Sequence, residues 1–414
     1  MKIFLVVAYT MFIISAITAG CHKSIDLPDG QDSKTIQSLT PSPEQESHVI
    51  QSPTPNSELE SEALQNPTPS SEPPIAYITI NGVEYSTSLS DLELGGHELS
   101  NEDIVSLCYM TRLTKLSIAF TEISDISPLS GLTGLVELLL FGNPINDITP
   151  LSSLTSLKSL MILNCPISDI TPLSNLMKLE SLRLEEMGIS DIVPLSNLTN
   201  LKSLSLGDNG IFDIAPLAGL ASLDELWLQY NGISDISPLA SLTNLETMNL
   251  SDNMVSDIAP LSGLGNLRFL KVTGNNISDI TPLAGLKSLE ELYLSGDNIT
   301  MSPNTVDNPI SDIKPLAGLT SLKYLQSAQS NISDISPLAG LVSLESLILS
   351  INEISDITPL TGLINLTNLE LDHNQIGDIT FLAGLTSLRV LNLNNNQISD
   401  WSPVAHIECV WGRE

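Results

Sequence analysis

The side chains able to do chemistry are few and scattered in this chain of 414 residues. Beyond residue 75 the histidines are His97, His373 and His406 and the cysteines are Cys108, Cys165 and Cys409, while Cys21 stands near the start. No HExxH, GxSxG, CxxC or phosphate-cradling glycine loop accompanies them, so no acid–base pair, activated nucleophile or zinc site is spelled out. The reading is therefore of a protein with no catalytic residue, cofactor or metal, and an enzyme assembled across distant segments is the least favoured class. One recurring carboxylate does invite a metal: Asp-Ile-x-Pro-Leu or a close variant begins at Asp125, Asp147, Asp169, Asp191, Asp213, Asp235, Asp257 and Asp279, then at Asp312, Asp334, Asp356, Asp378 and Asp400. Aligned carboxylates can hold cations. The mechanical explanation is preferred, because a residue present in every copy of a repeat usually bonds to the backbone N–H groups of its own turn.

The spacing of that motif defines the elements. It returns every 22 residues, with one step of 33 between Asp279 and Asp312, which places an eleven-residue insertion near 297–308. Within the copy from Asp235 to Asp257 the apolar residues Ile236, Leu239, Leu242 and Leu245 follow at steps of three, and Met248 and Leu250 at a step of two. Three is the period of a 3₁₀ or loose helical turn and two that of a strand, so each repeat is a helical arc followed by a short strand. Neither element buries its apolar side alone. Stacking the copies about 4.8 Å apart aligns the leucines into one core and the strands into a parallel sheet, a curved ribbon about 60 Å long. Ser or Thr before Pro, as in Ser127-Pro128, Thr149-Pro150 and Ser237-Pro238, predicts an N-cap followed by proline at the start of the arc. Gly131, Asn175 and Gly219, six residues past the aspartate, suit a helix end with positive φ. Asn143, Asn209, Asn231, Asn253, Asn275, Asn352, Asn374 and Asn396 share one interior place after the strand, suited to satisfying turn backbone, and Cys165 and Met187 fill it in two copies. Cys165 is thus read as an inert core thiol. The Asn-x-Ser/Thr triplets arise from the same repeat and carry no glycosylation signal.

The pattern LxxLxxLxLxxNxISDISPLAGL, covering about Leu89 to Val404, resembles the 22-residue leucine-rich repeat of the bacterial internalin-like surface proteins. The resemblance implies an α/β solenoid: a curved horseshoe with a parallel β-sheet on its concave face and short 3₁₀ arcs on its convex face. It implies a role in binding, since the shared residues build the scaffold and leave the ligand to others.

In such a scaffold, specificity belongs to outward residues of the concave strands. Around Leu226 and Leu228 these are Glu225, Trp227, Gln229 and Tyr230. The same offsets place seven of the fourteen aromatic residues outside the signal segment on this face: Phe120, Phe141, Trp227, Tyr230, Phe269, Tyr293 and Tyr324. Two patches follow, an apolar one of Phe120, Leu139, Phe141, Met161 and Leu163 and a central aromatic one of Trp227, Tyr230, Phe269, Tyr293 and Tyr324. Aromatic side chains concentrated on one face of a chain otherwise poor in them are candidate binding anchors, and Arg183 and Lys271 are the central bases there.

The remaining segments set the context. Residues 1–20 run Met1, Lys2, an apolar stretch, then Thr18-Ala19-Gly20, a signal peptide ahead of Cys21. The Thr18–Cys21 run resembles the lipobox of bacterial lipoproteins, in which the cysteine is lipidated. An ordinary signal or an uncleaved anchor helix remains open, and each reading puts the rest outside the cytoplasm. Residues 21–75 lack aromatics and are dense in Pro, Ser, Thr, Gln and Glu, a disordered tether about 40 Å long as a coil. Residues 76–110 form an N-terminal cap, with a hairpin over Ile78–Tyr85 and a degenerate first repeat; 111–404 carry the repeats and 405–414 the C-terminal cap, where Trp401, Val404, Ile407 and Trp411 are expected to close the core. A net charge of −32 repels nucleic acid and anionic headgroups and favours cationic partners. The whole reads as a monomeric, extracytoplasmic lipoprotein, anchored to a bacterial membrane or surface through Cys21, that binds a protein, with polysaccharide as the alternative ligand.

Overall fold

The computed structural model describes residues 76–96, 99–295 and 308–412. The signal peptide, Cys21, the tether, His97 and all of the expected insertion except Asn308 lie outside the described residues. The strands are β1 (Tyr77–Ile80), β2 (Val83–Ser86), β3 (Asp91–Gly95), β4 (Lys115–Ala119), β5 (Glu137–Phe141), β6 (Ser159–Leu163), β7 (Ser181–Glu185), β8 (Ser203–Ser205) and β9 (Glu225–Trp227). They continue with β10 (Thr247–Asn249), β11 (Phe269–Lys271), β12 (Glu291–Ser295), β13 (Tyr324–Ser327), β14 (Ser346–Ile348), β15 (Asn368–Glu370), β16 (Val390–Asn392) and β17 (Cys409–Trp411). From β3 to β17 they form one fifteen-stranded sheet in chain order, parallel throughout. Equivalent core residues pair in register, as Leu226 with Met248 and Met248 with Leu270.

A single 3₁₀ turn, such as Ser237–Ser241, joins most consecutive strands. The step of three keeps Ile236, Leu239, Leu242 and Leu245 pointing inward, and together with Leu226, Leu228 and Ile233 they are buried. Each such leucine contributes about 2 kcal/mol of burial. The core is aliphatic from end to end, with no Phe, Tyr or Trp among the fully buried described residues.

The corners follow rules different from those expected. All thirteen repeat aspartates accept, on Oδ1, the backbone N–H of the residue two positions later at 2.8–2.9 Å. The aspartate, not the Ser or Thr before proline, therefore caps the arc; that hydroxyl residue is already the first helical residue. Positive φ is absent at Gly131, Asn175 and Gly219 and occurs instead one corner later, at the residue leaving each strand: Phe120, Asn164, Glu186, Asp208, Tyr230, Asp252, Gln329, Ile351, His373 and Asn395, with Gly142 and Gly274. There the chain changes direction while keeping its bond to the next repeat, as in Tyr230 N–H to Ser251 O at 3.0 Å. The 3₁₀ turn needs no such residue, since it exits through a leucine such as Leu242 at φ −85°.

The interior asparagines tie successive coils together. Asn253 donates to Leu228 O at 2.9 Å, Leu250 O at 3.1 Å and Ser251 O at 3.1 Å and accepts the Ile233 N–H at 3.0 Å. Asn308, which the spacing counted within the insertion, is a rung of the same ladder: it accepts from Ile277 N–H at 2.8 Å and donates to Val272 O at 2.7 Å. Cys165 takes a rung as a buried thiol whose pKa burial pushes up. At the N-terminal end β1 and β2 pair around Asn81-Gly82, both left-handed, and bury Ile78 and Ile80. At the other end Val404 and Ile407 are buried with Trp401 and Val410 against them, but Trp411 is exposed, because it falls on the outward side of β17 opposite Asn392.

Candidate functional site

The first and third residues of each middle strand face outward, giving two rows across the sheet. One runs Glu225, Thr247, Phe269, Glu291, Tyr324 and the other Trp227, Asn249, Lys271, Tyr293, Gln326. The rows converge on a continuous line of rings. Tyr293 and Tyr324 stack with centroids 4.5 Å apart, Phe269 and Tyr293 lie 5.4 Å apart, and Trp227 and Phe269 5.8 Å apart. Trp227 and Phe269 come from β9 and β11, so both rings lean over the shorter Thr247 and Asn249 of β10. The Lys271 ammonium sits 5.6 Å from the Tyr293 ring centre, a cation–π contact. The Tyr324 hydroxyl donates to Gln326 Oε1 at 2.9 Å and that of Tyr293 to Glu291 Oε2 at 3.3 Å. These rings are half-buried and held in place, so little side-chain entropy is left to lose on binding.

Tyr230 is not part of this line. It is 45% exposed at the left-handed corner after β9, on the rim of the face. The residues of the first patch lie side by side on β4 to β6 and the corner after β4. Phe120 occupies the same corner after β4 and sets its ring edge-on to Phe141 at 4.5 Å, while Leu139, Met161 and Leu163 lie half-buried on β5 and β6 beside them. A polar strip separates the patches: Arg183 bonds Glu185 through Nε and Nη2, each at 2.8 Å, and Ser205 donates to the same carboxylate. Arg183 is thus engaged within the protein.

Sequence offsets missed several exposed apolar residues, Phe212 and Met254 among them together with Met177, Val193, Val342, Ile351 and Ile364, because none lies on a strand. The signal available was their departure from the repeat at their positions. Elsewhere the bases are spent on the flank before the strands, where Lys158 and Lys202 both bind Glu180 at 2.8 Å and hold its carboxyl down to about 2. Arg268 and Lys323 bind Glu290 in the same way. Among the described residues no group of three His, Cys, Asp or Glu could hold a metal ion, and no helix is long and apolar enough to cross a membrane.

A solved internalin, InlF of Listeria monocytogenes, is 34% identical, with 80% of this chain and 91% of that one covered and a TM-score of 0.62. This chain belongs to the internalin family. A family model described as leucine rich repeats in two copies matches residues 133–175, 221–263, 265–304 and 364–406 of this internalin. The same fold recurs in a leucine-rich-repeat protein of Leptospira interrogans, 22% identical with a TM-score of 0.68 over 78% of this chain and 90% of that one. It recurs also in the functional domain of InlJ from Listeria monocytogenes, 20% identical with a TM-score of 0.60 over 78% and 72%. No curated protein sequence matches. The internalin scaffold is common ground; the aromatic line on β9 to β13 sits on residues that the repeat leaves free to vary.

Proposed function

We propose that this internalin is a surface lipoprotein, held by a lipid on Cys21, that captures a protein partner through the concave face of its middle repeats. The observation that carries the reading is the unbroken line Trp227–Phe269–Tyr293–Tyr324, in a molecule with no ring among its fully buried described residues. Family membership supports binding over catalysis, and the tether supports presentation away from a membrane. The packing of the rings favours a protein over a polysaccharide. A glycan platform needs open ring faces, whereas Phe269 and Tyr293 turn theirs towards neighbours and the tyrosine hydroxyls are bonded within the protein.

Full-length protein tested on arrays of purified surface proteins and of glycans decides between them. Trp227→Ala/Tyr293→Ala should lose at least about tenfold in affinity for a protein ligand, as anchor truncations do. Glycan binding abolished by that variant, without protein binding, would reject the reading. For the anchor, Cys21→Ser should leave the signal unprocessed or release the protein into the medium; normal processing with continued membrane retention would rule out lipidation.

A further inference from the structure

Thirteen copies of one repeat are an internal reference for what the scaffold requires, so a departure at an exposed position needs another cause. The residue before each repeat aspartate is Ser in ten copies, Asn146 and Gly377 in two more, and Phe212 in the remaining one. Two places earlier the repeats carry Gly, Pro, Asn, Gln or Glu, except for Met254. Between them in sequence stands Tyr230, a bulky side chain at φ 56° with aspartates in the same place one repeat to either side, Asp208 and Asp252.

The three departures fall in consecutive repeats, each between a strand and the repeat aspartate that follows it. Phe212 is 64% exposed, Met254 55% and Tyr230 45%. The Phe212 ring lies across Gly232 so closely that a Cβ there would come within 2.2 Å of it. Gly232 follows Tyr230 by two residues, and Met254 holds the place of Gly232 one repeat on. The backbone joins these columns through Gly232 N–H to Ile211 O at 2.9 Å and Met254 N–H to Ile233 O at 2.8 Å. The rim meets the concave face at β9, which carries Trp227. The charge around it is one-sided: between Arg183 and Arg268 there are eleven acidic residues and a single base, Lys202, which Glu180 holds at 2.8 Å. Asp208, Asp213, Asp235 and Asp257 are exposed there.

We propose that Phe212, Tyr230 and Met254 form a docking rim for a basic protein segment, whose apolar side chain seats on the Phe212–Gly232–Met254 surface while its Arg or Lys residues meet the surrounding carboxylates. The proposal rests on the middle repeats being the protein-binding region, and extends it from the sheet over its edge. Complementary charge accelerates encounter, and the apolar contact supplies residence.

The test uses a random dodecapeptide library displayed on phage, selected against the full chain at low salt. Binders are then measured as free peptides on the wild type, on Phe212→Ser/Met254→Asn and on Trp227→Ala/Tyr293→Ala. The first pair restores residues that the repeat itself uses, so its melting temperature should match the wild type. Net-positive peptides with at least one large apolar residue, weakened about tenfold or more by Phe212→Ser/Met254→Asn, are expected. Peptides indifferent to that pair but lost in Trp227→Ala/Tyr293→Ala overturn the rim and leave the concave reading intact. Peptides indifferent to both overturn both, and failure to recover any positively charged binder overturns the rim.

Discussion

At the scale of single residues, the repeat is held by side chains that do the work of backbone. Asn253 accepts the buried Ile233 N–H and shares three carbonyls with neighbouring donors, Leu228 O with Asn231, Leu250 O with Asn275 and Ser251 O with the Tyr230 N–H. Asn253→Ala is therefore expected to cost about 1–3 kcal/mol for the stranded Ile233 N–H, read as a lower midpoint in urea with an unchanged slope. The aspartates act in the same spirit but at the surface. Asp147, Asp169, Asp279, Asp334, Asp356 and Asp378 have pKa values lowered from the usual 3.8 by the hydroxyl and backbone N–H of the residue two places on. Asp235 and Asp400 are lowered chiefly by the N–H and then by the hydroxyl. Depressed folded values mean that the unfolded chain takes up protons first. Their stabilisation is complete above the usual carboxylate range and is lost as pH falls below 3.8, with Glu180 following towards about 2. Thermal melts should thus be flat from neutral pH down to about pH 5 and decline below about pH 4; a melting temperature that rose on acidification would contradict this.

At the scale of the element, strand and arc are each too short to be stable alone, and each coil finds its support in the coils before and after it. Truncating Leu250 to Ala removes a fully buried side chain from the middle of the stack and should cost about 3 kcal/mol. Hydrogen exchange should rise first in the repeats around β10 and least near β3 and β17, because coupling in a solenoid passes only between neighbours. Uniform loss of protection across all strands would show longer-range cooperativity than stacking provides. The arcs and strands were legible in the steps of three and two, and the hairpin in Asn81-Gly82, since these reflect local geometry repeated many times. The left-handed corner was not. Phe120, Glu186, Tyr230 and Ile351 sit there alongside Asn, Asp and Gly, so its composition hides a conformation imposed by the bonds to the next coil.

At the scale of the molecule, charge and apolar surface are sorted. Bases are paired with acids along the flank, leaving the middle repeats anionic around the ring line and the rim. Association with a protein partner should therefore slow markedly as salt rises, while the dissociation rate changes little; stopped-flow measurements at low and physiological ionic strength with a partner in hand would check this. A salt-independent on-rate would mean that the acidic field plays no part in capture.

The sequence alone determined the solenoid, its period, its aliphatic core and the face on which Trp227, Phe269, Tyr293 and Tyr324 appear, because periodic burial is written into residue type and spacing. Tertiary structure alone decided how those rings meet, since Trp227 and Phe269 touch only by leaning across a strand with short side chains. It likewise set Tyr230 at the left-handed corner, engaged Arg183 with Glu185, and laid the Phe212 ring across Gly232. Apart from the Arg183–Glu185 pair, which lies two residues apart on one strand, these outcomes depend on contacts between residues 20 or more positions apart, where neighbouring coils, and not the order of residues within one coil, set what each side chain touches.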